Sequence, residues 1–304
     1  MRAERGNDGV LRVAVRGDVY DGRNFVKSAM GGPQDPKSSS RVSDLDLDVR
    51  LGVVAGNHGE AVRGLDLRLS RRGGRIRGFT LNAKIGRDTP LLGEFRRRVS
   101  NGRQVLYFET NDAGALFRFT DLYSRMIGGR AWIGMEPPTP DQAPQDGVLQ
   151  VQDFIIRGEA ALDRAVNNTP QPGRQNAVEF TVARAEFVRS PGRMTIRDAM
   201  VNGPMIGATL EGTIDYTRDD VNVRGTLVPL YGINNMFGQI PIVGLFLGGG
   251  SREGLLGITF EVRGPTSNPR TVVNPLSAIA PGVLRKFFEF RDPNTASSFA
   301  EPTR

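Results

Sequence analysis

The chain has no cysteine among its 304 residues and a single histidine, His58. Disulfide frameworks, thiolate zinc sites, Cys–His nucleophiles and multi-histidine metal centres are therefore excluded. A Ser–His triad would rest entirely on His58, which stands between glycines in "AGNHGEA" and reads as a hairpin tip. Lysine is confined to positions 27, 37, 84 and 286, so the net charge of +7 is carried almost wholly by arginine. No run of five basic residues occurs, and no basic-and-aromatic signature accompanies the clusters at 71–77 and 96–98. The opening "MRAERGNDG" lacks the apolar core of a signal peptide or anchor. The glycine-rich "GGGSREG" at 248–254 lacks the Gly-Lys-Ser/Thr ending of a phosphate loop. Carboxylates are plentiful, but no pair stands out as an acid and a base. No enzyme activity is expected, and no cofactor or metal.

Glycine (38) and proline (19) are abundant instead, which favours short strands and turns. The dominant pattern is alternation with period two. In "SDLDLDVRL" the residues Leu45, Leu47, Val49 and Leu51 fall on one face, with Asp44, Asp46, Asp48 and Arg50 on the other. Leu65, Leu67 and Leu69 oppose Asp66 and Arg68; Leu210, Ile214 and Tyr216 oppose Glu211, Thr213 and Asp215. "TRDD" then turns, Val221, Val223 and Leu227 point inward, and Ile258, Phe260 and Val262 oppose Thr259, Glu261 and Arg263. Such stretches are antiparallel strands with one wet and one apolar face.

An apolar residue followed by Arg-Gly recurs within these strands, at 15–17, 62–64, 76–78, 156–158, 223–225 and 262–264. The spacing is irregular, so no fixed-period repeat is present. The glycine marks a bulge, a bend or a close backbone approach, and the arginine a solvent-facing position.

Helices are few. The segment 111–129 has a cap at Asn111 or Asp112, a stop at Gly128, and an apolar stripe of Leu116, Phe119, Tyr123, Met126 and Ile127. Shorter helices are expected at 158–166, 231–238 and 280–290. Pro/Ser/Gln-rich loops are expected at 30–40, 136–147 and 169–176, with a disordered start at 1–9 and a disordered tail at 291–304. Residues 10–290 read as one continuous region, weakly divided at the 136–147 loop.

Residues 225–251 contain no charge. Pro229, Pro241, Asn234, Asn235 and Gln239 interrupt them, which argues against a membrane-spanning helix and leaves a core segment or an acyl-chain surface.

In order along the chain come Gly212–Tyr216, "GTLVP" (225–229), Asn234–Gly238, "IPIVG" (240–244), Val262–Gly264, "VNPLS" (273–277) and "APGVLR" (280–285). This arrangement, over 208–290, resembles the C-terminal region of the bacterial AsmA-like proteins, of the YhdP type; upstream strands resemble the same region less specifically. The resemblance implies a mainly β fold: an elongated, curled antiparallel sheet forming an open groove, with a few short amphipathic helices capping it. It implies a periplasmic location within a parent protein anchored in the inner membrane by a segment outside this chain. It also implies a part in phospholipid transport between inner and outer membranes and in envelope integrity.

On that basis Leu210, Ile214, Val223, Leu227, Ile258 and Phe260 are the expected groove lining. Phe237, Ile240, Ile242, Val243, Leu245 and Phe246 are an expected apolar tip or plug, and Arg224 and Arg263 expected contacts for anionic head groups. The partners would be phospholipid acyl chains, and a membrane surface or envelope proteins, without nucleic acid. Two other readings stay open here: a structural β-module docking on an envelope protein, and a binder of anionic polymers.

Overall fold

A computed structural model describes residues 1–29, 44–97, 104–139, 141–159, 162, 177–229, 256–266 and 269–278. Its elements in chain order are β1 (Arg2–Arg5), β2 (Leu11–Asp21), α1 (Arg23–Ala29), β3 (Leu45–Ala55), β4 (Ala61–Arg72), β5 (Arg75–Ile85), β6 (Thr89–Arg97) and β7 (Gln104–Thr110). There follow α2 (Ala113–Thr120), β8 (Met126–Met135), β9 (Gln145–Arg157), β10 (Ala177–Ser190), β11 (Arg193–Asn202), β12 (Ile206–Asp215), β13 (Asp220–Pro229), β14 (Leu256–Gly264) and β15 (Arg270–Ala278).

All fifteen strands form one sheet in which each pairs with its sequence neighbours. The sheet is curled and open, not closed into a barrel. Every pairing is antiparallel except β2 with β3, which is parallel. A parallel pair needs a crossover rather than a tight turn, and α1 lies in that crossover. Residues 2–5, within the expected disordered start, instead form β1 against β2, from Arg2 opposite Ala14 to Arg5 opposite Leu11.

Residues directly opposite each other across antiparallel strands share a face. Followed through the registers, Val49, Leu67, Leu81 and Gly93 share one face, as do Ile133, Leu149, Ala185, Ala199 and Leu210. This is the inner face. Bulges keep it apolar where strict alternation would break it. Asp153, at φ 54°, steps the chain so that Val151 and Phe154 both join the inner core. Gly64, at φ 60°, lies inside the register shift between Arg63 and Asp66.

The helix α2 lies on this inner face. Ala113 and Phe117 pack into the cluster containing Met126, Phe154, Val178, Ile206 and Leu227. Ala115 and Phe119 pack into a second cluster with Leu51, Val54, Val62, Ile85 and Leu91. Both halves of the sheet therefore curl towards one helix. Asp112 caps it, its side chain accepting from Ala115 N–H at 2.9 Å.

The expected helix over 111–129 is shorter in the structure. It ends at Asp121, which adopts the left-handed conformation at φ 58°, and Met126 and Ile127 belong to β8. Arg118 fixes this return by donating to the Met126 carbonyl at 2.8 Å and to Glu60 at 2.8 Å. The helices expected at 231–238 and 280–290, nearly all of that expected at 158–166, and the tail 291–304 lie outside the described residues. The four longest connections, 22–44, 111–125, 158–176 and 230–255, all leave the sheet from the end where α2 sits. The opposite end carries shorter connections, among them the tight hairpins at Gly73–Gly74 and Pro191–Gly192.

Candidate functional site

On β12–β14 the registers settle which side chains meet. Leu210 lies opposite Gly225, Ile214 opposite Val221, Val223 opposite Val262, Leu227 opposite Ile258, and Gly225 opposite Phe260. The six expected lining positions, Leu210, Ile214, Val223, Leu227, Ile258 and Phe260, thus share the inner face. Val223 and Leu227 are each 6% exposed, whereas Leu210, Ile214 and Phe260 are half-buried. Of the side chain of Ile258 only its strand position is described. Phe237, Ile240, Ile242, Val243, Leu245 and Phe246 lie outside the described residues.

The inner face does not stop at these strands. Val13, Val15, Leu47, Val49, Leu67, Leu69 and Leu81 extend it on β2–β5, and Leu149, Ala185, Phe187 and Ile196 on β9–β11; all are half-buried. Burial falls away from α2. Ile206 is fully buried and Phe154 and Val178 are 2% exposed near the helix, while Met194 and Ile214 towards the other end are half-buried. No second sheet covers this floor among the described residues.

Arg224 and Arg263 are not on that face. Period two places them beside, not among, the lining residues, and Arg224 lies opposite Glu261 on the outer side. Arg224 donates to Glu211 at 2.8 Å, and Arg263 pairs with Glu261 at 2.8 Å. The expectation that they contact head groups at the groove is corrected accordingly.

The outer face carries a ladder of such pairs. Arg16 meets Asp48 at 2.7 Å, Arg72 meets Asp46 at 2.7 Å, and Arg130 meets Asp153 at 3.0 Å. The arginine hydrogen bonds hold the Asp46 and Asp48 carboxyls below the usual carboxylate range. A concavity of about 780 Å³ lies on this side, bordered by Arg12, Asp46, Asp48 and Arg68, where the charges largely cancel. Nearby strands also carry an outer apolar patch of Val105, Tyr107, Trp132 and Val148, with the Arg96 guanidinium 3.6 Å above the Tyr107 ring. His58 sits at its hairpin tip and reaches Asp121 at 2.6 Å.

The registers also place arginines on the inner face: Arg71 opposite Leu45, Arg97 one step beyond Phe95, and Arg189. Arg189, near the end of β10, lies opposite Gln145 on one side and Met194 on the other. It sits one inner-face step beyond Phe187, at the end of the sheet away from α2. Tyr216, just past β12, is close enough to bias its charge. Burial pushes the Arg189 guanidinium below its ordinary value and the Tyr216 phenol above its own. Nothing in the alternation singled Arg189 out. It follows the apolar Phe187 and Val188 in "EFVRSPG", where both faces of the strand carry an apolar residue, and the registers with β9 and β11 place it on the face of Ala185 and Phe187.

Among the described residues there is no cluster of metal-ligating side chains and no helix long and apolar enough to cross a membrane. Compared with family models, curated proteins and solved structures, the chain matches none of them.

Proposed function

We propose that this chain is a non-enzymatic lipid-handling module whose inner face receives the acyl chains of phospholipids. The observation that carries this reading is the half-buried apolar floor on one side of the sheet, with no second sheet over it among the described residues, beside an outer side rich in paired charges. Monomeric proteins rarely leave so large an apolar surface without an occupant. From Ala208 to Ile214 along β12 the floor runs about 20 Å, at about 3.3 Å per residue. One leaflet of a bilayer core is about 15 Å thick, so an acyl chain fits lengthwise below α2. Each methylene taken from water gains roughly 0.8 kcal/mol. The resemblance to AsmA-like envelope proteins agrees with this geometry. It extends the reading to a periplasmic segment of an inner-membrane-anchored parent that moves phospholipid towards the outer membrane.

The test is native mass spectrometry of protein purified without detergent, with lipid extraction alongside. Phospholipid should co-purify. Ile214→Asp and Leu210→Asp should lose it while keeping the β-sheet circular dichroism of the parent. Thr213→Asp, one residue away on the outer face, should retain it. A lipid-free mass together with no uptake from phospholipid vesicles would sink the proposal and leave the inner face as a docking surface for an envelope protein.

A further inference from the structure

We infer that Arg189, positioned by Gln145, is a binding site for a phosphate-type oxyanion at the open end of the inner face, where it receives the head group of a lipid lying on the floor. The inference rests on the acyl-chain reading above and deepens it.

Arg189 sits where a head group has to be. It is on the apolar face, at the end that α2 does not cover, one step beyond Phe187 and Gly147. A chain laid along β9–β12 with its tail towards α2 ends there.

The guanidinium is held in place but not neutralised. Its Nη1 donates to Gln145 Oε1 at 2.7 Å. Gln145 is 5% exposed and is itself anchored, its Nε2 donating to the Glu136 carbonyl at 2.9 Å. The Arg189 Nε is buried and has no hydrogen-bond partner among the described residues. The carboxylates at this end of the neighbouring strands are engaged elsewhere. Asp146 pairs with Arg197 at 3.1 Å, and Asp215 pairs with Arg193 at 2.8 Å while accepting from the Thr217 and Arg218 N–H groups. A desolvated cation without a counter-charge is costly, and an incoming anion relieves that cost. Guanidinium offers parallel donors that match two oxygens of a phosphate. The Tyr216 phenol, whose ionisation burial pushes still further above neutral pH, is a further donor at this end of the face.

The experiment compares three soluble probes: dioctanoyl phosphatidic acid, dioctanoylglycerol with the same tails and no phosphate, and inorganic phosphate. Binding is read by calorimetry below the micellar concentration. The parent should prefer the phosphatidic acid over the glyceride by at least about tenfold, the scale of one charge-assisted hydrogen bond. Arg189→Gln should remove that preference and leave glyceride binding unchanged. Arg189→Lys should keep part of it. Arg189→Met, which replaces an uncompensated cation by an apolar chain, should unfold at the same temperature or higher without lipid. A lower unfolding temperature would show the arginine to be structural and overturn the inference. Equal phosphatidic acid binding by the parent and Arg189→Gln, with the glyceride still bound, would overturn it and leave the acyl floor intact. Failure of both lipids to bind would bring down the floor and this site together. Inorganic phosphate bound as tightly as the phosphatidic acid, and lost in Arg189→Gln, would move the site from head groups to free phosphate.

Discussion

Gly147 and Phe187 lie directly opposite each other on β9 and β10, and the phenyl ring occupies the space that a methyl group on Gly147 would need. The same relationship joins Gly225 to Phe260 across β13 and β14; Phe108, opposite Gly93 across β6 and β7, stands close to its glycine without filling that space. All three pairs are on the inner face. A ring laid over a glycine covers exposed backbone and keeps the floor shallow, which offsets the weakness of glycine within a strand.

The first prediction concerns these pairs. Gly147→Ala should destabilise the chain by about 1–3 kcal/mol through overpacking against the ring. Adding Phe187→Ala should recover part of that loss, because only the ring stands in the way. Gly225→Ala should resist the equivalent rescue by Phe260→Ala, since the Thr209 backbone carbonyl also blocks its methyl. Denaturant unfolding of the two double-mutant cycles checks this; equal rescue at both sites would refute it.

The helix that draws the two halves of the sheet together depends on its cap. Asp112→Ala should cost about 1 kcal/mol, and Asp112→Asn much less, because the asparagine oxygen still accepts from the Ala115 N–H. Thermal unfolding of both variants tests this. Equal midpoints would mean that packing of Phe117 and Phe119 holds α2 without the cap.

Stability should fall at both ends of the pH scale. The Asp46, Asp48 and Asp215 carboxyls lie below their unfolded values because Arg72, Arg16 and Arg193 donate to them. Their contribution is present above about pH 4, the unfolded value, and is lost as the pH falls through the lower folded values. Burial raises the Tyr123 and Tyr216 phenols above theirs. That contribution is present below about pH 10 and is lost as the pH rises further. Unfolding midpoints measured across the scale should therefore be flattest between these limits. Asp215→Asn should flatten the acid fall and Tyr216→Phe the alkaline one.

Arg224 and Arg263 supply the control for Arg189. Their ion pairs are exposed, so Arg224→Gln and Arg263→Gln should change stability by less than about 1 kcal/mol. Neither should alter lipid uptake in the native mass spectrometry assay. Loss of lipid from either would return the outer face to consideration.

The division into faces was legible in the residues alone. Once Leu47, Val49 and Leu51 alternate with Asp46, Asp48 and Arg50, a pleated strand has no choice about which face each occupies. The same rule placed the arginines of the apolar-Arg-Gly stretches outward: Arg16, Arg63, Arg77, Arg157, Arg224 and Arg263 are all exposed. It also showed Arg224 and Arg263 to alternate with the lining residues, which already argued against their meeting a lipid on the inner face. The end of α2 was not legible. The apolar spacing of Met126 and Ile127 continues a helical stripe, but Asp121 turns left-handed and Arg118 recruits the Met126 carbonyl. Those are contacts made only after the chain has returned.

By itself, then, the sequence determined a cysteine-free, mainly β chain of one-sided strands, because period-two alternation and abundant turn residues act locally. The tertiary structure decided the order of fifteen strands in one open sheet, the parallel step around α1, and the helix on the inner face. It also placed Arg189 at the end of the apolar floor. These depend on register and on bulges such as that on β11 opposite Glu186–Phe187, where extra residues let Ile196 and Ala199 both face inward. Register is a relation between strands, and no single strand's residues contain it.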